Sequence, residues 1–263
     1  MTTYRDVWLE ALGGLISFAD ELKAKTEAEF AGSARGTPKW ATLLIGLRGR
    51  RVLQAVHVLA PHQWDDVIGN LSRALVEAAI DLDYLHTDSP LGEGEQARTL
   101  TPDMKAELFA AQVYMLEKKL AKKMRPGHDE EHERARALHR EYDASVGHTW
   151  HGRTTAGILK ELSDGEKGKG RLKNIEWAFR ANSYFEQNNP IEDFYLERSP
   201  RGGVWIREQC PHSWPLSSSV LAGAEICYKW GAVLGLSEEE LYGRLAPVER
   251  AGKADPDAFS KDA

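Results

Sequence analysis

The sequence predicts an all-α fold: a single-domain helical bundle of about seven to nine helices. Three observations carry this. Apolar residues recur every three or four positions along most of the 263 residues, the period of an amphipathic helix. Proline, glycine and Thr-Pro steps fall at helix-length intervals, where helices start and stop. The period-two alternation of strands is almost absent.

From Tyr4 to about Phe30, Trp8, Leu12, Leu15, Ile16, Ala19 and Leu22 share one helix face. Thr37-Pro38 reads as an N-cap with proline in the first turn. Leu43, Leu44, Leu47, Val52 and Val56 then carry a second helix to about Ala60, where Pro61 stops it; its middle, Arg48 to Arg51, is basic. The third helix, about Gln63 to Leu85, sets Val67, Leu71, Leu75, Ala78, Leu82 and Leu85 toward a core. A narrow second strip holds Asn70, Arg73, Glu77, Asp81 and Tyr84, since residues three and four apart share a face.

Thr101-Pro102 starts a fourth helix to about Met124, and a charged fifth spans about Asp129 to Ser145. Lys118 to Arg125 is basic and His128 to Glu133 acidic, so residues 102–146 read as a protruding charged helical hairpin with a solvated tip. A short helix from Thr155 to Leu162 and an aromatic-rich one from Leu172 to Gln187 follow. Residues 189–215 are broken by prolines and glycines around one apolar piece, Val204-Trp205-Ile206. An apolar helix over Ser217 to Leu234 packs back on the core, and Ser237 with Glu240 forms a capping box for the last helix. Residues 1–252 make one domain and 253–263 a flexible tail.

A chain 42% hydrophobic and 28% charged, with 23 Gly and 11 Pro, has the composition of a globular protein able to bury a core, which excludes disordered and collagen-like classes. A net charge of -6 argues against a coat for duplex DNA, because neutralising phosphates takes a clustered basic excess. Cys210 and Cys227 form no metal-type pair, and no apolar run approaches the roughly 20 residues of a membrane span. The reading is a cytoplasmic protein with reduced thiols, no membrane partner, no metal and no cofactor.

Motifs for chemistry are sparse. No Gly-x-Ser-x-Gly elbow, P-loop or dinucleotide fingerprint is present. His128 and His132 stand at a metal-ligand spacing but lack a third ligand. His148 and His151 flank Trp150 in a turn, and Cys210 near His212 lacks a converging group. Helical HEPN ribonucleases place His after Arg with four to six residues between them, so that His handles the 2′-hydroxyl proton and Arg the phosphorane charge. Arg51/His57, Arg125/His132, Arg134/His139 and Arg207/His212 have that spacing, which a chain with nine His also supplies by chance.

Three segments carry a family resemblance. Asn70 to Leu85, NLSRALVEAAIDLDYL, resembles the Arg-x-Leu-x-Glu-Ala-Ala-x-x-x-x-Tyr-Leu segment of a bacterial helical family, domain of unknown function five-six-seven-seven. Trp150-His151-Gly152-Arg153-Thr154 is similar to its Trp-x-Gly-x-Ser/Thr turn, and Phe179-Arg180-x-x-Ser183 to its aromatic-Arg-x-x-Ser segment. They follow one another in the family's order, within a family-like region of about residues 40–235. The family commonly has His four residues beyond that Ser; here the position is Gln187, and an amide does not titrate. The resemblance implies fold more than activity.

The matched residues suggest a polar pocket of Arg73, Glu77, Asp81, Tyr84, Arg180 and Ser183, lined by Trp150 and Trp177, able to hold an anion or a nucleotide phosphate. A buried network that fixes helix register uses the same residues. The first function expected is therefore a binding or interaction module, an accessory component, with a homodimer, RNA or a small anionic ligand as partner. Its alternative is a HEPN-like, metal-independent ribonuclease, toxin or antiviral-defence effector.

Overall fold

The computed structural model describes residues 3–30, 32–91, 98–122, 133–134, 137–138, 140, 154–165, 196–198, 204–206 and 214–254. In chain order the elements are α1 (Tyr4–Phe30), α2 (Pro38–Leu59), a 3₁₀ turn (Ala60–His62) and α3 (Asp65–Leu85). They continue as β1 (Ser89–Leu91), β2 (Arg98–Leu100), α4 (Pro102–Lys122), α5 (Thr155–Gly165), β3 (Leu196–Arg198), β4 (Val204–Ile206), α6 (Trp214–Val233) and α7 (Glu238–Ala254). The fold is all-α, as the periodicity predicts. Its only extended pieces among the described residues are two antiparallel ladders, β1 with β2 and β3 with β4. Three-residue strands are too short to show a period of two. The predicted aromatic-rich helix, the residues after Ala254 and most of the fifth helix lie outside the described residues.

Helix starts follow the caps. The Thr3 hydroxyl accepts from the Asp6 amide while Asp6 Oδ2 accepts from the Thr3 amide at 2.8 Å. Thr37 Oγ1 accepts from the Trp40 amide, and Thr101 and Thr154 do the same for Met104 and Gly157. The Ser237–Glu240 box forms in both directions, with Glu240 Oε2 2.8 Å from the Ser237 amide. Each side chain satisfies an amide that the first helical turn leaves without a partner.

The residues cluster into two compact units, and the division falls within α1, α2 and α3. In the first unit the core holds Trp8, Leu12, Leu15 and Leu22 of α1, Leu53 and Val56 of α2, Ile68 and Leu75 of α3, Ile226 and Trp230 of α6, and Leu241 and Val248 of α7. Glycines let these helices close up. A Cβ on Gly46 would stand 2.5 Å from the Trp230 ring, and one on Gly223 would stand 2.6 Å from Leu53. The buried Trp230 indole N–H donates to Thr26 Oγ1 at 2.8 Å, a partner that a buried tryptophan requires.

The second unit buries Trp40 and Leu43 of α2, Ile80, Leu82, Tyr84 and Leu85 of α3, Ala106 and Leu108 of α4, and Ile158 and Leu159 of α5. Leu138, helical as expected for the second arm of the hairpin, packs with Tyr114 against Ala111 and Met115 of α4. The Arg35 guanidinium lies 5.6 Å from the Trp40 ring centroid and 5.4 Å from that of Tyr114, a cation–π arrangement.

Candidate functional site

The polar strip of α3 is described in two parts. In the first unit, Arg73 Nε donates to Glu77 Oε1 at 3.0 Å, the ion pair that their i,i+4 spacing allows. Glu77 is 39% exposed on its side chain, so the pair sits at the helix surface. In the second unit, Asp81 is half-buried and Tyr84 fully buried. Arg180, Ser183, Trp150 and Trp177 lie outside the described residues. The one convergence of the predicted set that the described residues display is therefore Arg73 with Glu77.

Tyr84 belongs to a node that sequence reasoning missed. Lys105 of α4 is fully buried, and its ammonium donates to the Tyr84 carbonyl at 2.8 Å, the Thr87 carbonyl at 2.5 Å and Ser89 Oγ at 2.5 Å. It also stands 3.7 Å from the Tyr84 ring centroid. An ammonium has three protons to donate, and all three are used. The Lys105 charge thus caps the carbonyl end of α3, where a cation is favoured. Beside it, the Thr42 hydroxyl donates to the Pro38 carbonyl and pairs with His86 Nε2 at 2.8 Å. Nothing local in the sequence distinguishes Lys105 from the other lysines of α4, because its acceptors come from residues 16 to 21 positions away.

A second missed feature lies at the corner between α2 and α3. Arg5 Nη1 donates to Asp65 Oδ2 at 2.8 Å, and Nη2 to the Ala60 carbonyl at 2.5 Å. One guanidinium therefore ties the start of α1 to the end of α2 and the start of α3. Asp65 has no exposed side-chain surface, and its Oδ1 accepts no hydrogen bond from the described residues. Burial pushes the Asp65 carboxyl up from 3.8 to about 6, against the downward pull of Arg5; desolvation outweighs the pair because half of the carboxylate is left unsolvated. Cys227 of α6 is likewise buried, and its thiol is pushed up to about 12, far from a reactive thiolate.

Around this clamp, large apolar side chains face solvent. Val58 in the last turn of α2 is 66% exposed, Trp64 50%, Val67 42% and Tyr4, next to Arg5, 50%. The His62 and Trp64 rings are 5.4 Å apart. Val67, expected in the core from its period, is exposed because it sits in the first turn of α3, at the projecting corner, while Leu75, Ala78, Leu82 and Leu85 further along the same face are buried.

No family profile, curated protein or solved structure matches the chain. Among the described residues no group of three His, Cys, Asp or Glu could hold a metal ion; His128, His132, His148 and His151 lie outside them. No described helix is long and apolar enough to cross a membrane. Of the Arg/His pairs, only Arg51 and His57 are both described, and both are exposed on α2. Six residues at about 100° each set them roughly 120° apart around the helix, so the two side chains diverge. Arg134 is exposed, and His139 lies outside the described residues, as do Cys210 and His212.

Proposed function

We propose that the chain is a helical binding or interaction module working in a reducing, cytoplasmic setting. The observation that carries this is the set of half-exposed apolar side chains, Tyr4, Val58, Trp64 and Val67, gathered around one helix corner. Apolar side chains clustered at the surface and centred on a tryptophan are the usual mark of a docking site. The Arg5 clamp beneath them holds that corner in a fixed shape, which lowers the ordering cost of binding. In this reading the Arg73–Glu77 pair and the Lys105–Tyr84 node have structural work: the first supports the surface of α3, and the second caps its end.

The test has two arms. A photo-crosslinking amino acid placed at position 64 is expected to form discrete protein adducts in a lysate of the source organism, while the same group at exposed Lys253 on α7 forms none. The purified protein is also incubated with a total-RNA mixture, beside an Arg73→Ala variant. Intact RNA is the expected result. Cleavage that is lost in a folded Arg73→Ala variant, or a position 64 that yields no adducts, overturns the proposal.

A further inference from the structure

We propose that the outer face of α2 and the α2–α3 corner together form a docking surface for an acidic protein segment carrying an apolar anchor. This rests on the reading of the chain as an interaction module and names the chemistry of its partner.

Charge and position around α2 carry the inference. Arg48, Arg51 and Val58 fall within about 80° of arc on this helix, with Arg51 and Val58 two turns apart and nearly in line. Arg48, Arg51 and Val58 are all exposed. Arg50, on another face, is committed to Asp20 at 2.5 Å. Arg48 and Arg51 form no ion pair with a described residue, so two guanidinium groups stand uncompensated on one side of the apolar cluster.

The surface is thus graded, basic along α2 at Arg48 and Arg51 and apolar at Val58, Trp64 and Val67, which flank the 3₁₀ turn along the chain. A complementary segment places one or two carboxylates over Arg48 and Arg51 and an aliphatic or aromatic side chain on the corner. Guanidinium–carboxylate pairing supplies the specificity and the encounter rate, and the corner supplies most of the affinity. Nucleic acid fits less well. Trp64 offers a ring on which one base could stack, but two guanidinium groups neutralise few phosphates, and a chain of net charge -6 repels a long polyanion.

The experiment is selection from a random peptide library displayed on phage against the full chain. Enriched peptides are then titrated by fluorescence anisotropy against wild type, Arg48→Glu/Arg51→Glu and Val58→Ser/Trp64→Ser, with a single-stranded oligouridine RNA as a further probe. All substituted positions are exposed, and circular dichroism checks that each variant is folded. The expected peptides are net acidic with at least one aromatic or aliphatic residue. Their affinity falls about tenfold or more in each double variant, and wild-type binding weakens as salt rises. Failure to enrich peptides, peptides without acidic bias, binding that survives both double variants, or RNA bound at this face in place of peptide each overturns the inference. Neutral or basic peptides lost only in Val58→Ser/Trp64→Ser overturn the acidic partner while leaving the interaction module in place. Absence of position-64 adducts removes the module as well.

Discussion

Replacing Gly46 by Ala tests whether the approach of α2 to α6 is as close as the structure requires. The new Cβ would stand 2.5, 2.7 and 2.8 Å from Cδ2, Cγ and Cε3 of Trp230, inside the distance at which carbons repel. Trp230 cannot swing away freely, since it is fully buried and its indole N–H is held by Thr26 Oγ1 at 2.8 Å. Overpacking of this kind costs about 1–3 kcal/mol, and losing the indole hydrogen bond adds about 1 kcal/mol. Against this, alanine gains up to about 1 kcal/mol over glycine in a helix interior. The net expectation is a loss of about 1–3 kcal/mol. Two further glycines calibrate the argument. At Gly49 the nearest atoms are Ile226 methyls at 3.0 and 3.1 Å, which can give way, and at exposed Gly243 nothing lies within 4 Å. Urea unfolding followed by circular dichroism should therefore rank Gly46→Ala below Gly49→Ala, and Gly49→Ala below Gly243→Ala, with the last at or above wild type. A Gly46→Ala variant as stable as Gly243→Ala would refute the close approach.

The Asp65 carboxyl makes a pH prediction with an unusual sign. Its pKa is raised from 3.8 to about 6 on folding, so the folded state holds the proton more tightly; the stability this contributes is fully present below about pH 4 and lost as pH rises through 6. At about 1.4 kcal/mol per tenfold, the span is worth about 3 kcal/mol. Asp65→Asn, neutral throughout, should gain on wild type by up to that amount between pH 4 and 7 in urea titrations; a wild type that gains on the variant instead would show the Arg5 pair to be net stabilising. Lys105→Met leaves two carbonyls and a hydroxyl without their donor, and a loss of about 2–4 kcal/mol is expected from thermal and urea unfolding; a loss under about 1 kcal/mol would mean these acceptors find other donors. Glu77→Ala should change stability by no more than about 0.5 kcal/mol, the usual scale of an i,i+4 pair, and a large loss would place Glu77 in a buried network. In a Cys210→Ser background, the Cys227 thiol should stay inert to a disulfide reagent at pH 8 until urea unfolds the chain, because burial withholds both the thiolate and access to it.

The parts of the fold that were legible in the sequence are those set by neighbours within a few positions. Caps at Thr37, Thr101 and Ser237 and the i,i+4 pairing of Arg73 with Glu77 depend on helical spacing alone, and the structure bears each of them out. The apolar period over Leu75, Ala78, Leu82 and Leu85 correctly marks a buried face. The same rule fails at Val67, because a period says which face a residue shares and not whether a neighbour covers that turn. Spacing places Tyr84 on the polar strip of α3 but does not carry its burial, nor the Lys105 ammonium over its ring.

By itself, then, the sequence determined the helical class, the positions where helices begin, and the surface ion pair on α3, since local spacing and backbone hydrogen bonding suffice for these. Only the tertiary structure decided that Lys105 closes the end of α3, that Arg5 reaches 55 and 60 residues along the chain to Ala60 and Asp65, that Gly46 lies against Trp230, and that Val58, Trp64 and Val67 stay uncovered. Those facts depend on where distant elements meet and how far each side chain is removed from water, and neither quantity is carried by spacing along a helix.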